Sequence, residues 1–93
     1  MKVVWTETAQ NHLDAIYAYI AQDSPRYALR MVDRLTSRSR QIADAPFSGR
    51  RVPEYDQEQV REMIEGMYRI IYYIKPDQID ILAVIHGARS VLK

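Results

Sequence analysis

Ninety-three residues suffice for one domain with one core: at this size folding buries roughly 60–65% of the unfolded chain's surface, which excludes a large substrate cavity. An apolar fraction of 47% and a charged fraction of 27% describe an ordinary globular chain, and the absence of cysteine with only two separated histidines excludes a disulfide framework, a thiolate nucleophile and a zinc set, so neither cofactor nor metal is expected. Net charge is only +1, yet ten of the thirteen basic residues are arginine, the cation that grips carboxylates and phosphates bidentately; arginine-rich codon usage explains the bias equally well.

The chain opens with KVVW, residues 2–5, short and rich in β-branched and aromatic side chains, so a strand ending at Trp5 is expected, followed by a helix capped by Thr6. Apolar residues then recur at Ala9, Leu13, Ile16, Tyr17 and Ile20 with helical period. Asp23-Ser24-Pro25 breaks that stripe. Ser24 as cap and Pro25 at the first helical position start a second helix, whose apolar face reads Ala28, Leu29, Val32, Leu35, Ser39 and Ile42. The tight turn between the two makes an antiparallel helical hairpin.

Ala45-Pro46 ends the second helix, and residues 46–59 read as a long loop without periodicity. From Val60 the pattern becomes strand-like: VREMIE, YRIIYYI and IDILAVIH, joined by Gly66-Met67 and by a Pro76-Asp77 turn. Gly66 in first position suits a type II′ hairpin. The whole reads as an α+β fold, β-α-α-β-β-β, with an antiparallel sheet of about four strands and the helical hairpin packed on one face, over a single domain spanning 1–93. The longest apolar runs are far too short for a signal-peptide core or a membrane span, so the chain is expected to be cytoplasmic and free of the membrane.

If 65 and 68 flank the first hairpin and 74 and 79 the second, period-2 alternation assigns Met63, Tyr68, Ile70, Tyr72, Ile74, Ile79, Ile81, Ala83 and Ile85 to the helix-facing side. Val60, Glu62, Ile64, Arg69, Ile71, Tyr73, Asp80, Leu82, Val84 and His86 fall on the other. That register sets Arg69 opposite Ile64 and Val84, with Glu62 and His86 diagonal to it. Histidine beside arginines is the equipment for RNA cleavage: proton transfer at the 2′-hydroxyl and leaving oxygen, and guanidinium stabilisation of the phosphorane. Arg61, Arg69, His86 and Arg89 are the candidate catalytic set. The same residues also describe a Glu62–Arg69 structural ion pair with His86 closing a strand end.

Two further groups read as partner-binding candidates. Arg26, Arg30, Arg34 and Arg38 repeat at four-residue spacing on the second helix, where like charges weaken an isolated helix and a counter-anion would help. Arg50 and Arg51 follow Gly49 in the long loop. The alternative is a solvated face, partly neutralised by Asp33, and a loop tied to the sheet.

The runs W-T-E-T-A, L-x-x-I-x-x-Y-I, A-P-F-S-G-R-R-V-P-E, V-R-E-M, Y-R-I-I-Y-Y-I and V-I-H-G-A-R occur in order over nearly the whole chain, and together they resemble the RelE/ParE superfamily of type II toxin–antitoxin toxins. The resemblance implies a bacterial toxin neutralised by a cognate antitoxin in a hetero-oligomer. RelE-like members cut mRNA on the ribosome with basic residues and, in many, a tyrosine beyond the last strand, whereas ParE-like members inhibit DNA gyrase without that set. Here Leu92 stands about where such a tyrosine is expected, and the loop carries arginines but no lysine cluster. The resemblance therefore points to a non-enzymatic gyrase inhibitor, with a ribosome-dependent mRNA endoribonuclease as the alternative.

Overall fold

The structure, a computed structural model, describes residues 1–88; Arg89 and Leu92 lie outside the described residues. Strand β1 (Lys2–Trp5) leads into helices α1 (Glu7–Ala21) and α2 (Pro25–Ile42). A 3₁₀ turn (Pro46–Ser48) precedes the short strand β2 (Arg50–Arg51), and β3 (Val60–Glu65), β4 (Tyr68–Ile74) and β5 (Gln78–His86) complete the fold. The expected β-α-α-β-β-β order holds, but the strands number five, because two loop residues pair with β3. The sheet order is β1-β5-β4-β3-β2. It is mixed instead of wholly antiparallel: β1 runs parallel to β5, a pairing that the long intervening chain permits.

Both helix starts follow their caps. Thr6 Oγ accepts from the Ala9 amide at 3.2 Å, and Ser24 Oγ accepts from the Tyr27 amide at 3.1 Å, with Pro25 opening α2. The helices cover one face of the sheet, where Ala9, Met31, Leu35, Ile42, Ile70, Tyr72, Ile74, Ile79, Ile81 and Val84 form the main core. Leu29, expected in the α2 stripe, is 57% exposed, while Met31 is buried. The stripe is turned because α2 must also meet the β3–β4 hairpin, where Met31 lies close beneath Gly66.

The first hairpin has the expected register, Glu65 opposite Tyr68, with Gly66 at φ 60° and no positive φ at Met67, as a type II′ turn requires. In the second, Ile74 lies opposite Ile79 as expected, but Tyr72 pairs with Ile81 and Ile71 with Ala83, so Leu82 is an extra residue. This β-bulge inverts every later side chain of β5. Val84 enters the main core, whereas Leu82, Ala83 and Ile85 pack on the opposite face. His86 stands opposite Tyr68, and Arg69 faces Ile85 instead of Val84. A period-2 reading cannot see an inserted residue, and the expected Glu62, Arg69, His86 cluster is not formed.

On the face away from the helices, Val52, Val60 and Ile71 make a second small core, lined by Tyr55 and Tyr73. The loop after β2 lies over the sheet here as a strap. Past the end of β1, α1 satisfies the outer edge of β5: the Thr6 hydroxyl donates to the Ile81 carbonyl at 2.7 Å, and the Val84 amide donates to His12 Nδ1 at 3.2 Å.

Candidate interaction surfaces and the dispersed basic residues

Arg69 stands at the centre of a buried ionic network. Its Nε donates to Glu62 Oε1 at 2.6 Å, and its two terminal nitrogens donate to the two Glu54 oxygens at 3.0 and 2.8 Å. Arg50, from β2, donates to the other oxygen of Glu62. Glu62 is 1% and Arg69 5% exposed. The hydrogen bond that Arg69 donates to Glu54 raises the Arg69 pKa above its ordinary value, burial opposes it, and Glu62 adds to the rise. The guanidinium is thus permanently charged and already neutralised. The sequence placed Glu62 beside Arg69; Glu54, in the loop, gave no periodic signal, and only its position after Pro53 hinted at a turn.

Arg61 is likewise engaged within its own neighbourhood. Its Nε donates to the Glu58 carbonyl at 2.8 Å, and its other nitrogens reach the Gly49 carbonyl at 3.0 Å and the Glu58 carboxylate at 2.7 Å. It also lies 5.1 Å over the Phe47 ring. Arg51, paired across strands with Arg61, meets Asp56 at 3.0 Å. Arg50 and Arg51 therefore fasten the strap, although both side chains keep a half or more of their surface exposed.

His86 is exposed and contacts the Tyr68 ring edge-on at 6.2 Å, and its Nδ1 accepts from the Ala88 amide at 3.3 Å. Burial raises the Tyr68 pKa, with lesser contributions from nearby Tyr27 and Tyr19. The structure therefore gathers Tyr19, Tyr27, Tyr68 and His86 at one end of the sheet on its helix-facing side, with Arg69 beside Tyr68 but on the opposite face. Of the four candidate catalytic residues, Arg61 and Arg69 belong to the strap and its network, His86 to this aromatic end, and Arg89 lies outside the described residues.

The α2 stripe divides in two. Arg34 grips Glu65 of β3 through two nitrogens at 3.0 and 2.7 Å, and Arg38 Nε lies 3.8 Å from the same carboxylate. Among the described residues Arg26 and Arg30 form no ion pair, so that half remains a solvated basic surface. Arg34, Ser37, Arg38, Gln41 and Glu65 line an open groove of about 210 Å³ between α2 and β3. Sequence spacing found the arginines but not Glu65, their counter-ion. Among the described residues no group of three or more histidine, cysteine or acidic side chains is arranged to hold a metal ion, and no helix is long and apolar enough to cross a membrane.

This fold has known counterparts. The chain is 36% identical over 88 residues to toxin RelE2 of Caulobacter vibrioides, covering 95% of this chain and 97% of that one. A chromosomal ParDE toxin–antitoxin system from P. aeruginosa contains a chain matching at TM-score 0.75 and 25% identity, over 92% of this chain and 95% of that one. The RelBE2 toxin–antitoxin complex of Mycobacterium tuberculosis shares the fold at TM-score 0.55 and 23% identity, over 91% and 95% of the two chains. The model describing the ParE toxin of type II toxin–antitoxin systems matches residues 3–91, and the chain belongs to that toxin family within the RelE/ParE superfamily.

Proposed function

We propose that this toxin acts in the cytoplasm by inhibiting DNA gyrase through protein–protein contact, and that its cognate antitoxin silences it in a hetero-oligomer. The observation that carries this reading is the state of Arg69, buried and held by two carboxylates, while His86, opposite Tyr68 in the neighbouring strand, stands on the other face of the sheet. Phosphoryl chemistry needs a guanidinium free to meet developing charge and a proton-transfer group within hydrogen-bond reach of the same phosphate. Arg61 and Arg69 are instead spent on the fold. Contact inhibition has no such requirement. The exposed Arg26 and Arg30 are suited to steering an acidic partner, as are the exposed sides of Arg50 and Arg51.

A ribosome-dependent mRNA endoribonuclease is the second reading, favoured by the name of the Caulobacter relative. The two separate in a paired assay of the free toxin, with purified gyrase in one arm and a translation extract in the other. Gyrase inhibition is expected to block supercoiling while translation continues, and His86→Ala, once shown to fold, is expected to stay toxic. Ribosome-dependent mRNA cleavage that His86→Ala or a folded Arg69 variant reduces on the order of 10²–10³-fold would reverse the assignment.

A further inference from the structure

Three exposed large apolar side chains come together at the Tyr68 end of the sheet. Tyr19 in α1 is 74% exposed, Met67 in the β3–β4 turn 66% and Tyr27 in the first turn of α2 42%. Separate elements bring them there. The β3–β4 turn lies over α2, where a Cβ at Gly66 would stand 3.3 Å from the Arg34 side chain and 3.9 Å from that of Met31, and Tyr27 precedes Met31 by about one helical turn. Tyr19 and Tyr27 both lie near enough to Tyr68 for their charges to bear on its phenol, and Tyr68 meets His86 edge-on at 6.2 Å. The Gly87 amide donates to the Met67 carbonyl at 2.7 Å and so ties the turn to the end of β5. An exposed apolar patch built from four elements marks a contact surface more than a solvated one.

A basic rim borders this centre. Arg30 stands three residues after Tyr27 and four after Arg26, spacings that make neighbours on a helix surface. Both arginines are exposed and form no ion pair among the described residues; Asp23 and Asp33, close in sequence, answer neither. Arg34, the next in the stripe, is neutralised by Glu65, and the positive rim ends there. Tyrosine and methionine at the centre with unpaired arginine beside them match the composition of a protein-binding hot spot. A nucleic acid fits less well. Tyr68 and His86 meet at 76°, so they offer stacked bases no parallel pair of rings, and two free guanidiniums are few for a phosphate backbone.

We propose that this aromatic end is the surface with which the toxin grips its target: a protein patch with an apolar pocket for Tyr19, Tyr27 and Met67 and carboxylates facing Arg26 and Arg30. Under the contact-inhibition reading that patch belongs to gyrase, and the proposal rests on that reading for the partner's name. The two parts of the surface act on different steps. Desolvation of the apolar centre sets how long the complex lasts, whereas the rim sets how fast it forms.

The test titrates purified gyrase with the full chain, reading binding by surface plasmon resonance and inhibition by supercoiling, after circular dichroism has shown each variant folded. Tyr19→Ser with Tyr27→Ser is expected to weaken binding and inhibition on the order of 10–100-fold, mainly through faster dissociation. Met67→Ser, at the tip of a turn outside the core, should act in the same direction. Arg26→Glu with Arg30→Glu should slow association about tenfold and flatten its salt dependence. Ile64→Ser, an exposed apolar residue on the other face of the same hairpin, should change neither. If the wild-type chain inhibits gyrase and the folded tyrosine variant inhibits it equally, the surface is wrong and the gyrase reading stands. If the wild-type chain does not bind gyrase, that reading fails and the proposal with it. Self-association of the free chain, or binding of a single-stranded oligonucleotide, that the tyrosine changes abolish would assign the patch to a second copy or to nucleic acid, and either would overturn the proposal.

Discussion

The two faces of the sheet are stabilised by different physics. Under the helices, Ile70, Ile79, Ile81 and Leu35 are fully buried among apolar neighbours, and burial of this kind is non-directional and scales with area. Across the sheet, the strap is held by the small apolar cluster around Val52, Val60 and Ile71 and by Arg69, Glu62, Glu54 and Arg50, whose hydrogen bonds work only in one arrangement. The first face supplies stability and accepts residues of similar volume. The second decides where a loop lies, and Glu62 and Arg69 are costly to separate because each would leave an uncompensated charge out of water.

The largest effect is expected on the helix face. Ile81→Asp places a carboxylate where no cation lies within the apolar core, at several kcal/mol out of a typical domain's roughly 5–15, and should unfold the chain. Circular dichroism would show it; a folded variant with near-normal denaturation would mean that the face is far less dry than its packing implies.

Next comes the network. Glu62→Ala removes the carboxylate shared by Arg50 and Arg69 and should cost about 3–5 kcal/mol in urea denaturation, since the buried Arg69 loses one of the two carboxylates that hold it. The double change Glu62→Leu with Arg69→Met should recover part of the loss, because two apolar groups of similar volume need no partners, although Glu54 at the edge of the network loses its cation. If the double variant were no better than the single one, the network would not be the coupled unit described above.

Much of this architecture was legible in the sequence because its signals are local. Caps at Thr6 and Ser24, the helical stripes and the Gly66 turn each depend on a few neighbouring residues. What escaped depends on distant pairing. Leu82 is an inserted residue that only its β4 partners reveal, and it sends Val84 and His86 to the face opposite the one alternation assigns them. β2 consists of two arginines whose strand character comes from β3 alone. The candidate site was lost for the same reason: Arg69 and Glu62 were placed together, but Glu54, which completes the network, arrives from the strap, and the bulge takes His86 away.

The strap depends on one neutral hydrogen bond as well as on charge. Tyr72 is fully buried on the helix face, and its hydroxyl donates to the Pro46 carbonyl at 2.6 Å, linking the main core to the start of the loop. A Cβ at Gly49 would collide with that hydroxyl and stand 2.7 Å from the Glu62 carbonyl oxygen, so the loop passes closely here. Tyr72→Phe should cost about 1 kcal/mol and speed amide exchange across residues 46–52 while β4 and β5 stay protected. Uniform acceleration over the whole sheet would show that the strap and the main core open as one unit.

The smallest effect belongs to a charge pair that, unlike the network, faces solvent. Lys75 Nζ meets Asp80 Oδ2 at 2.7 Å across the β4–β5 turn, and Gln78 Nε2 donates to Asp80 Oδ1 at 2.6 Å. The hydrogen bond from Lys75 lowers the Asp80 pKa below its ordinary 3.8, opposed by burial and helped by Gln78, while Asp80 raises Lys75 above its ordinary 10.5. A lowered carboxylate pKa contributes stability that is complete above the unfolded value and is lost as pH falls through the folded one; a raised lysine pKa contributes stability that is complete below the unfolded value and is lost as pH rises through the folded one. The pair's contribution is therefore complete between about 3.8 and 10.5 and declines on either side. Asp80→Asn should remove that decline from both limbs of the urea-midpoint profile, and roughly molar salt at neutral pH should erase most of the difference between the variants by screening the exposed pair. The cost of Glu62→Ala should persist in the same salt, because its charges are shielded from ions by the strap; equal salt sensitivity of the two variants would mean that water and ions reach Arg69 as freely as they reach Lys75.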